Sequence, residues 1–132
     1  MKYHRSERFF EAGLPFSEAV TVGGVLYLSG QLGNAPGQKV LVAGGIVAEA
    51  HQTMQNIAHV LSKHGLSFDN VFRAQVMLSD MAEWGAFNAV YVSYFKPQRL
   101  PSRSAWGCSG LALGARCEVE CWATVSEVLT EL

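Results

Sequence analysis

The sequence predicts an α+β domain in which two helices cover one face of a single mixed β-sheet. Three observations lead to this fold class. Short apolar runs are bounded by glycine and proline, one long segment has helical periodicity, and a second helical segment precedes the last two strand-like runs. The predicted element order is β-β-(β)-α-β-α-β-β, which suits a helix layer packed on a sheet layer.

The N-terminal half begins with two predicted strands. Residues 16–22 and 25–29 are apolar runs separated by Gly23-Gly24, a dipeptide typical of a two-residue hairpin turn. Residues 30–45 are rich in glycine and contain a proline, which indicates a loop, with a short strand at 40–42.

Two helices are predicted. Apolar residues recur at helical spacing over residues 46–64, with polar residues on the other side. The second helix begins at Asp80, which opens a capping-box pattern, and continues through Phe95, before Pro97 and Pro101 end it. Its aromatic residues are expected in the core: Trp84, Phe87, Tyr91 and Phe95.

Three further strands are predicted, at residues 70–78, 103–108 and 116–125. In the last of them, alternation places four apolar side chains on one face: Cys117, Val119, Cys121 and Ala123. The other face carries Glu118, Glu120, Trp122 and Thr124. Because a tryptophan accompanies the acids, neither face is an ordinary solvated surface, and this indicates packing between subunits.

Size and charge restrict the class of protein. The 132 residues suit one domain spanning 1–132, and 10 basic against 11 acidic side chains give a formal net charge of −1. This balance argues against a nucleic-acid partner, and no apolar run approaches the ~20 residues of a membrane span. The polar, charged N-terminal residues do not resemble a signal peptide. The three cysteines form no C-x-x-C pair and predict free thiols, so we expect a cytoplasmic protein.

Metal, phosphate and nucleophile motifs are missing from the sequence. His51, His59 and His64 lie on the first predicted helix at spacings that scatter them around it, and no H-E-x-x-H pattern occurs. The glycine-rich loop lacks G-K-[ST], and no G-x-S-x-G elbow is present.

Arg103 and the acids of the last strand are the strongest candidates for chemistry. Arg103 follows the break at Pro101, and its planar guanidinium can grip a carboxylate through two hydrogen bonds. Glu118 or Glu120 could hold or move a proton. A merely exposed arginine and a solvated acidic strand face are the alternatives. Taken together, these residues predict acid–base chemistry on a small anionic substrate.

Several motifs, in order, resemble the RidA (YjgF-type) family of reactive-intermediate deaminases. They are Leu28-Ser29-Gly30-Gln31-Leu32, Gly44-Gly45-Ile46, Gln55-Asn56, Asn88-Ala89-Val90-Tyr91, Pro101-Ser102-Arg103-Ser104 and Cys117-Glu118-Val119-Glu120. Each motif is weak alone, but their order and spacing hold from about Leu14 to Val125. The resemblance therefore covers nearly the whole chain.

The resemblance implies a chorismate-mutase-like fold, assembled as a homotrimer around a central barrel with active sites between subunits. It also implies hydrolysis of enamines and imines such as 2-aminoacrylate to a 2-keto acid and ammonia, with no metal or organic cofactor. Arg103 matches the arginine that grips the substrate carboxylate, and Glu118 matches the glutamate that positions or activates water. Ser29 and Gly30 match a pocket-lining strand end, and Asn88 matches a helix asparagine near the cleft.

Three predicted pocket positions depart from the family pattern. Phe16 falls where many members have tyrosine, Ala105 where many have cysteine, and Trp106 where a small aliphatic residue is usual. A large ring beside Arg103 is expected to narrow the pocket or change its preference. The departures leave open a second hypothesis, a trimer that binds keto acids as a sensor without turnover. Ribonuclease activity, attached to some relatives, is disfavoured by the near-neutral charge.

Overall fold

The computed structural model describes residues 1–7 and 12–126, and within them the chain forms one six-stranded sheet with two α-helices. The strands are β1 Lys2–His4, β2 Ala19–Val22, β3 Val25–Leu28, β4 Val71–Leu78, β5 Ser102–Gly107 and β6 Cys117–Thr124. The helices are α1 Gly45–Lys63 and α2 Trp84–Val92, with short 3-10 turns at Phe68–Asn70, Met81–Glu83, Pro97–Arg99 and Ala112–Gly114. None of the described helices is long and apolar enough to cross a membrane.

The sheet is mixed, as predicted. Its strand order is β1-β2-β3-β6-β4-β5, in which β4 and β5 run parallel and every other neighbouring pair is antiparallel. The hairpin between β2 and β3 turns at Gly23-Gly24, where both φ angles are positive (54° and 81°). Glycine adopts this conformation without steric cost, which explains why the dipeptide marked the turn.

The ends of several elements differ from the prediction. Strand β1 was not predicted, because three residues are too few to show alternation. The predicted strand at 16–22 begins at Ala19, and Phe16 lies outside it. The predicted strand at 40–42 is wrong, since this segment contributes a single β-bridge between Leu41 and Asn34.

The second helix is shorter than predicted at both ends. The Asp80 carboxylate does act as a cap, accepting a hydrogen bond from the backbone N–H of Ala82 at 2.9 Å, but it caps a 3-10 turn that precedes the α-helix. The α-helix ends at Val92 rather than Phe95. Beyond Val92 the backbone N–H groups of Ser93, Tyr94 and Phe95 donate to carbonyls three residues earlier, so the α-helix tightens into 3-10 turns. The chain then becomes extended at Lys96, before Pro97.

The core lies between the helices and one face of the sheet. Helix α1 buries one apolar stripe against strand residues of the same character: Ala50, Met54, Ile57 and Leu61 pack in a cluster with Leu26, Val76, Leu78 and Val119. The predicted alternation in β6 is confirmed, because Cys117, Val119, Cys121 and Ala123 are fully buried. All three cysteines are free, as predicted, and Cys108 is partly buried.

The opposite face of the sheet carries aromatic side chains and no helix within the described residues. The ring of Trp122 lies 5.2 Å from that of Tyr27 and 6.5 Å from that of Phe72, measured between centroids. The guanidinium carbon of Arg73 lies 5.9 Å from the Trp122 ring. This surface, formed by Tyr27, Phe72, Arg73 and Trp122, is called the open face below.

Candidate active site

Arg103 lies in β5, at one edge of the described sheet. Its register partner in β4 is Ala74, which is fully buried beneath the helices, so the Arg103 side chain leaves the sheet on the helix side. There its guanidinium carbon lies 5.1 Å from the centroid of Trp84 and 4.8 Å from that of Tyr91. Among the described residues the Arg103 side chain makes no hydrogen bond or ion pair, so its guanidinium donors are available to a ligand.

Helix α2 presents Trp84, Asn88 and Tyr91 toward this arginine. Their spacing of four and seven residues places them on one side of the helix. The Asn88 Oδ1 and the Tyr91 hydroxyl are buried without a hydrogen-bond partner in the described part of the chain. Burial raises the pKa of Tyr91, and the nearby Arg103 opposes that shift, so the phenol stays neutral at physiological pH.

The expectation that all four aromatic residues near α2 are core is wrong for one of them. Phe87, Tyr91 and Phe95 are buried, but Trp84 is 39% exposed. It occupies the first position of the α-helix, beyond the edge of the sheet core, and contacts the Arg103 side chain instead. Helical spacing predicted the shared face but could not show that a cation lies over it.

Glu118 lies on the other side of the sheet, in β6. Its carboxylate approaches Gly30 so closely that a Cβ at position 30 would overlap Oε1 and lie 3.1 Å from Cδ. The backbone of the next residue, Gln31, exchanges hydrogen bonds of 2.9 and 3.1 Å with Val119, which fixes this approach. Glycine at position 30 therefore makes room for the carboxylate.

The two acids of β6 differ in their surroundings. Trp122 Nε1 donates a hydrogen bond of 3.2 Å to Glu120 Oε1, whereas Glu118 has no hydrogen-bond partner among the described residues. Burial raises the pKa of Glu118, and the charge of Glu120 raises it further. The unpartnered carboxylate and the raised pKa make Glu118 the candidate to hold or move a proton.

Ser29, which precedes Gly30, is hydrogen-bonded to the segment that follows Phe16. The Ser29 hydroxyl donates to the Ser17 carbonyl at 2.6 Å, and its backbone N–H donates to the Glu18 carbonyl at 3.0 Å. These bonds hold the segment carrying Phe16 against the strand end that carries Ser29. Phe16 itself is about half exposed.

Within this chain the structure does not bring Arg103 and Glu118 together. Arg103 in β5 is in register with Ala74 in β4, and Ala74 is in register with Cys121 in β6. Cys121 lies three residues along β6 from Glu118. Two strand spacings and three residues separate the two Cα atoms by about 14 Å, and the side chains point to opposite faces. Ala105 shares the helix side with Arg103 and packs against the core.

The expectation that the Trp106 ring lies beside Arg103 is wrong. Trp106 is in register with Met77, which is in register with Glu118, so its ring lies on the face of Glu118 and opposite to Arg103. The signal was present in the sequence, because residues three apart on a strand point to opposite faces.

The described residues contain no group of three or more His, Cys, Asp or Glu side chains that could hold a metal ion. A polar network instead joins the starts of β6 and α2. The Arg116 guanidinium donates two hydrogen bonds of 3.0 Å to the Glu83 carboxylate, and the Arg116 backbone N–H donates to buried Glu49 at 2.9 Å. This network fixes Glu83, which precedes Trp84, and Arg116, which lies two residues before Glu118.

Comparison with known proteins identifies the family. The sequence profile of the family described as Endoribonuclease L-PSP matches residues 7–125. The chain is 41% identical over 106 residues to the 2-iminobutanoate/2-iminopropanoate deaminase of Mus musculus, covering 80% of this chain and 78% of that protein. It is similar to the crystal structure of yeast Mmf1, with TM-score 0.80, 31% identity and 94% coverage of both chains. It is also similar to the crystal structure of RidA from the Antarctic bacterium Psychrobacter sp. PAMC 21119, with TM-score 0.79, 32% identity and coverage of 84% of this chain and 89% of that one. These matches confirm the resemblance drawn from the motifs: the chain belongs to the RidA (YjgF-type) family, whose profile carries the Endoribonuclease L-PSP description.

Proposed function

We propose that this protein hydrolyses 2-imino and 2-enamine acids to 2-keto acids and ammonia. The observation that carries the proposal is the pair of unpartnered charged groups, the Arg103 guanidinium and the Glu118 carboxylate. A relative from Mus musculus that is 41% identical is named for the deamination of 2-iminobutanoate and 2-iminopropanoate, which supports this substrate class.

Arg103 binds the substrate carboxylate. All of its N–H donors are free within the described residues, and a guanidinium matches a carboxylate through two parallel hydrogen bonds. This grip fixes the direction of the neighbouring C=N carbon toward the attacking water. Lysine lacks the planar fork, so it would hold the charge without fixing the orientation.

Glu118 activates the water and returns its proton. The carboxylate accepts a proton as the water oxygen bonds to the imine carbon, and it passes this proton to the imine nitrogen to give a carbinolamine. It then accepts the hydroxyl proton as the oxygen forms the keto group, and it donates that proton to the nitrogen as the C–N bond breaks and ammonia leaves. A pKa raised by burial and by Glu120 suits Glu118 to both halves of this transfer.

The complete site forms between two subunits of a homotrimer. Arg103, Asn88 and Ala105 belong to the half-site on the helix side of one subunit, and Glu118 and Gly30 to the half-site of its neighbour. The separation of about 14 Å within one chain supports this arrangement, because one small substrate cannot span it. The aromatic open face supports subunit packing around a central barrel.

The remaining pocket positions act through shape. Phe16 and Ser29 line the half-site of Glu118, and Trp106 narrows the pocket from the same face. Ala105 leaves space where a larger side chain would contact the substrate.

The protein is a single domain over residues 1–132, acts in the cytoplasm, and requires a small carboxylate substrate and no nucleic-acid partner.

The test is release of keto acid and ammonia from freshly generated 2-iminobutanoate, above the spontaneous rate. We expect Arg103→Ala and Arg103→Lys to lose at least about 100-fold in kcat/KM, and Glu118→Gln to lower kcat more than it raises KM. Arg99→Ala and Glu120→Gln are the matched controls and should keep turnover at the optimal pH. Full activity in Arg103→Ala would overturn the assignment.

Mixed trimers test the shared site. Arg103→Ala and Glu118→Gln subunits are each inactive, but co-refolded at equal amounts they should regain about one quarter of wild-type activity, the fraction of sites that receive both functional residues. No recovery, with mixed trimers shown by mass, would place both residues in one subunit's site.

Binding without turnover is the competing function. Wild-type protein that binds 2-oxobutanoate through Arg103 and releases neither product would indicate a sensor. Cleavage of RNA that survives salt washing and is lost in Arg103→Ala would indicate a nuclease.

A further inference from the structure

We propose that Trp84 is a positioning residue which, together with Tyr91, holds the Arg103 guanidinium against two aromatic rings and keeps its N–H donors free for the substrate. This inference rests on the proposed function and deepens it by assigning a role to a residue outside the predicted site.

The Arg103 guanidinium lies over two aromatic rings of α2, which together are called the aromatic clamp. The rings attach to α2 seven residues apart, a rise of about 10.5 Å along the helix, and the guanidinium carbon lies 5.1 and 4.8 Å from their centroids. Both distances are within the ~6 Å range of a cation–π contact. The guanidinium therefore contacts both rings, which attach to α2 two turns apart.

An aromatic clamp does what an ionic partner could not. A carboxylate that held Arg103 would occupy the N–H donors and neutralise the charge that the substrate needs. Ring faces attract the cation without accepting those hydrogen bonds in its plane. Arg103 is thereby ordered before the substrate arrives, and less side-chain freedom is lost on binding.

Trp84 is held firmly although it is 39% exposed. The preceding residue, Glu83, receives two hydrogen bonds of 3.0 Å from Arg116 across to the start of β6. The Asp80 carboxylate caps the turn just before it. These polar contacts of neighbouring residues fix the backbone at the start of α2, from which the indole extends over Arg103.

Tyr91 forms the inner side of the clamp. It is 5% exposed and its ring also packs against Phe87 and Phe95, at centroid distances of 5.8 and 4.9 Å. Its hydroxyl has no hydrogen-bond partner in the described residues, so removing the oxygen breaks no hydrogen bond among them and keeps the ring. Tyr91→Phe should therefore preserve the clamp.

Trp84→Leu and Trp84→Phe provide the test, with Val92→Ala on the exposed surface of the same helix as the control. Loss of one ring should weaken binding of 2-oxobutanoate and raise KM about 2- to 30-fold, with a smaller change in kcat. Trp84→Phe should restore at least half of the affinity, and Val92→Ala should match wild type. A merely structural role would lower the melting temperature without this split between KM and kcat.

The outcomes separate this proposal from the function itself. If the wild type turns over imines and Trp84→Leu keeps its KM within twofold, the clamp is wrong and the deaminase assignment stands. If Trp84→Leu and Trp84→Phe are impaired equally, the aromatic ring is not what holds Arg103. If the wild type binds 2-oxobutanoate in a Trp84-dependent way but releases no product, the clamp stands and the deaminase assignment is wrong.

Discussion

Replacing Gly30 with alanine tests whether the carboxylate beside it is the proton acceptor. The added methyl group would overlap Glu118 Oε1 and lie 3.1 Å from Cδ and 3.2 Å from Cγ. Carbon atoms in ordinary contact are about 3.5–4.0 Å apart, so the carboxylate must move by roughly 1 Å. The change therefore displaces the proposed catalytic group without altering its chemistry.

The expected effect on activity is large and the effect on stability is small. A misplacement of about 1 Å can cost about 100-fold in rate, equivalent to about 2.7 kcal/mol of transition-state stabilisation. The atoms that must move are at the end of a half-buried, flexible side chain, so the free energy of unfolding should change by less than about 1 kcal/mol.

The assay compares kcat/KM for freshly generated 2-iminobutanoate with urea denaturation of the same samples. Gly110→Ala is the control, because a Cβ at position 110 meets no atom within 4 Å. If Gly30→Ala kept kcat/KM within threefold of wild type while remaining folded, the placement of Glu118 next to the reacting water would be refuted.

Three further predictions follow from the charges and the buried groups. Glu118 must be ionised to accept a proton, and Glu120 raises its pKa, so Glu120→Gln should shift the acidic limb of the kcat–pH profile to lower pH; an unchanged limb would exclude Glu118 as the titrating base. Lys63→Met should lower the free energy of unfolding in urea by about 1–3 kcal/mol, since it leaves the buried Glu18 carboxylate without its ammonium partner at 3.0 Å; a loss below 0.5 kcal/mol would contradict this. Burial raises the pKa of Cys117 to about 11, so iodoacetamide at pH 8 should leave it unmodified in the folded protein and modify it in urea, and equal rates in both states would show that the strand opens.

The strands and helices with strong periodicity were predicted well from sequence. The stripe of α1 and the alternation of β6 each arise from a single element that buries one side, so local spacing was sufficient. Strand β1 was missed because its three residues pair with β2 across 17 positions and have no pattern of their own. The α-helix of α2 ends early because Ser93, Tyr94 and Phe95 form 3-10 turns with i→i−3 hydrogen bonds, which the proline signal at position 97 does not reveal.

The residues of the site were predicted from the sequence, but their arrangement in space was not. Matching motifs singled out Arg103, Glu118 and Gly30, and the close approach of Gly30 to the Glu118 carboxylate gives a physical reason for that glycine. Trp106 was expected beside Arg103 because the two are near in sequence, yet strand alternation sends its side chain to the opposite face. Trp84 was assigned to the core because helical spacing shows which residues share a face but not which group contacts that face, here the Arg103 guanidinium.

By itself, the sequence determined the mixed α+β fold, the family, and the arginine and carboxylates from which the proposed chemistry is built, because these depend on residue type and local spacing. The tertiary structure decided which side chains meet. Sheet register places Arg103 and Glu118 on opposite faces about 14 Å apart, and helix α2 brings two aromatic rings into contact with the guanidinium. Both depend on contacts between residues distant in sequence, which no local pattern encodes.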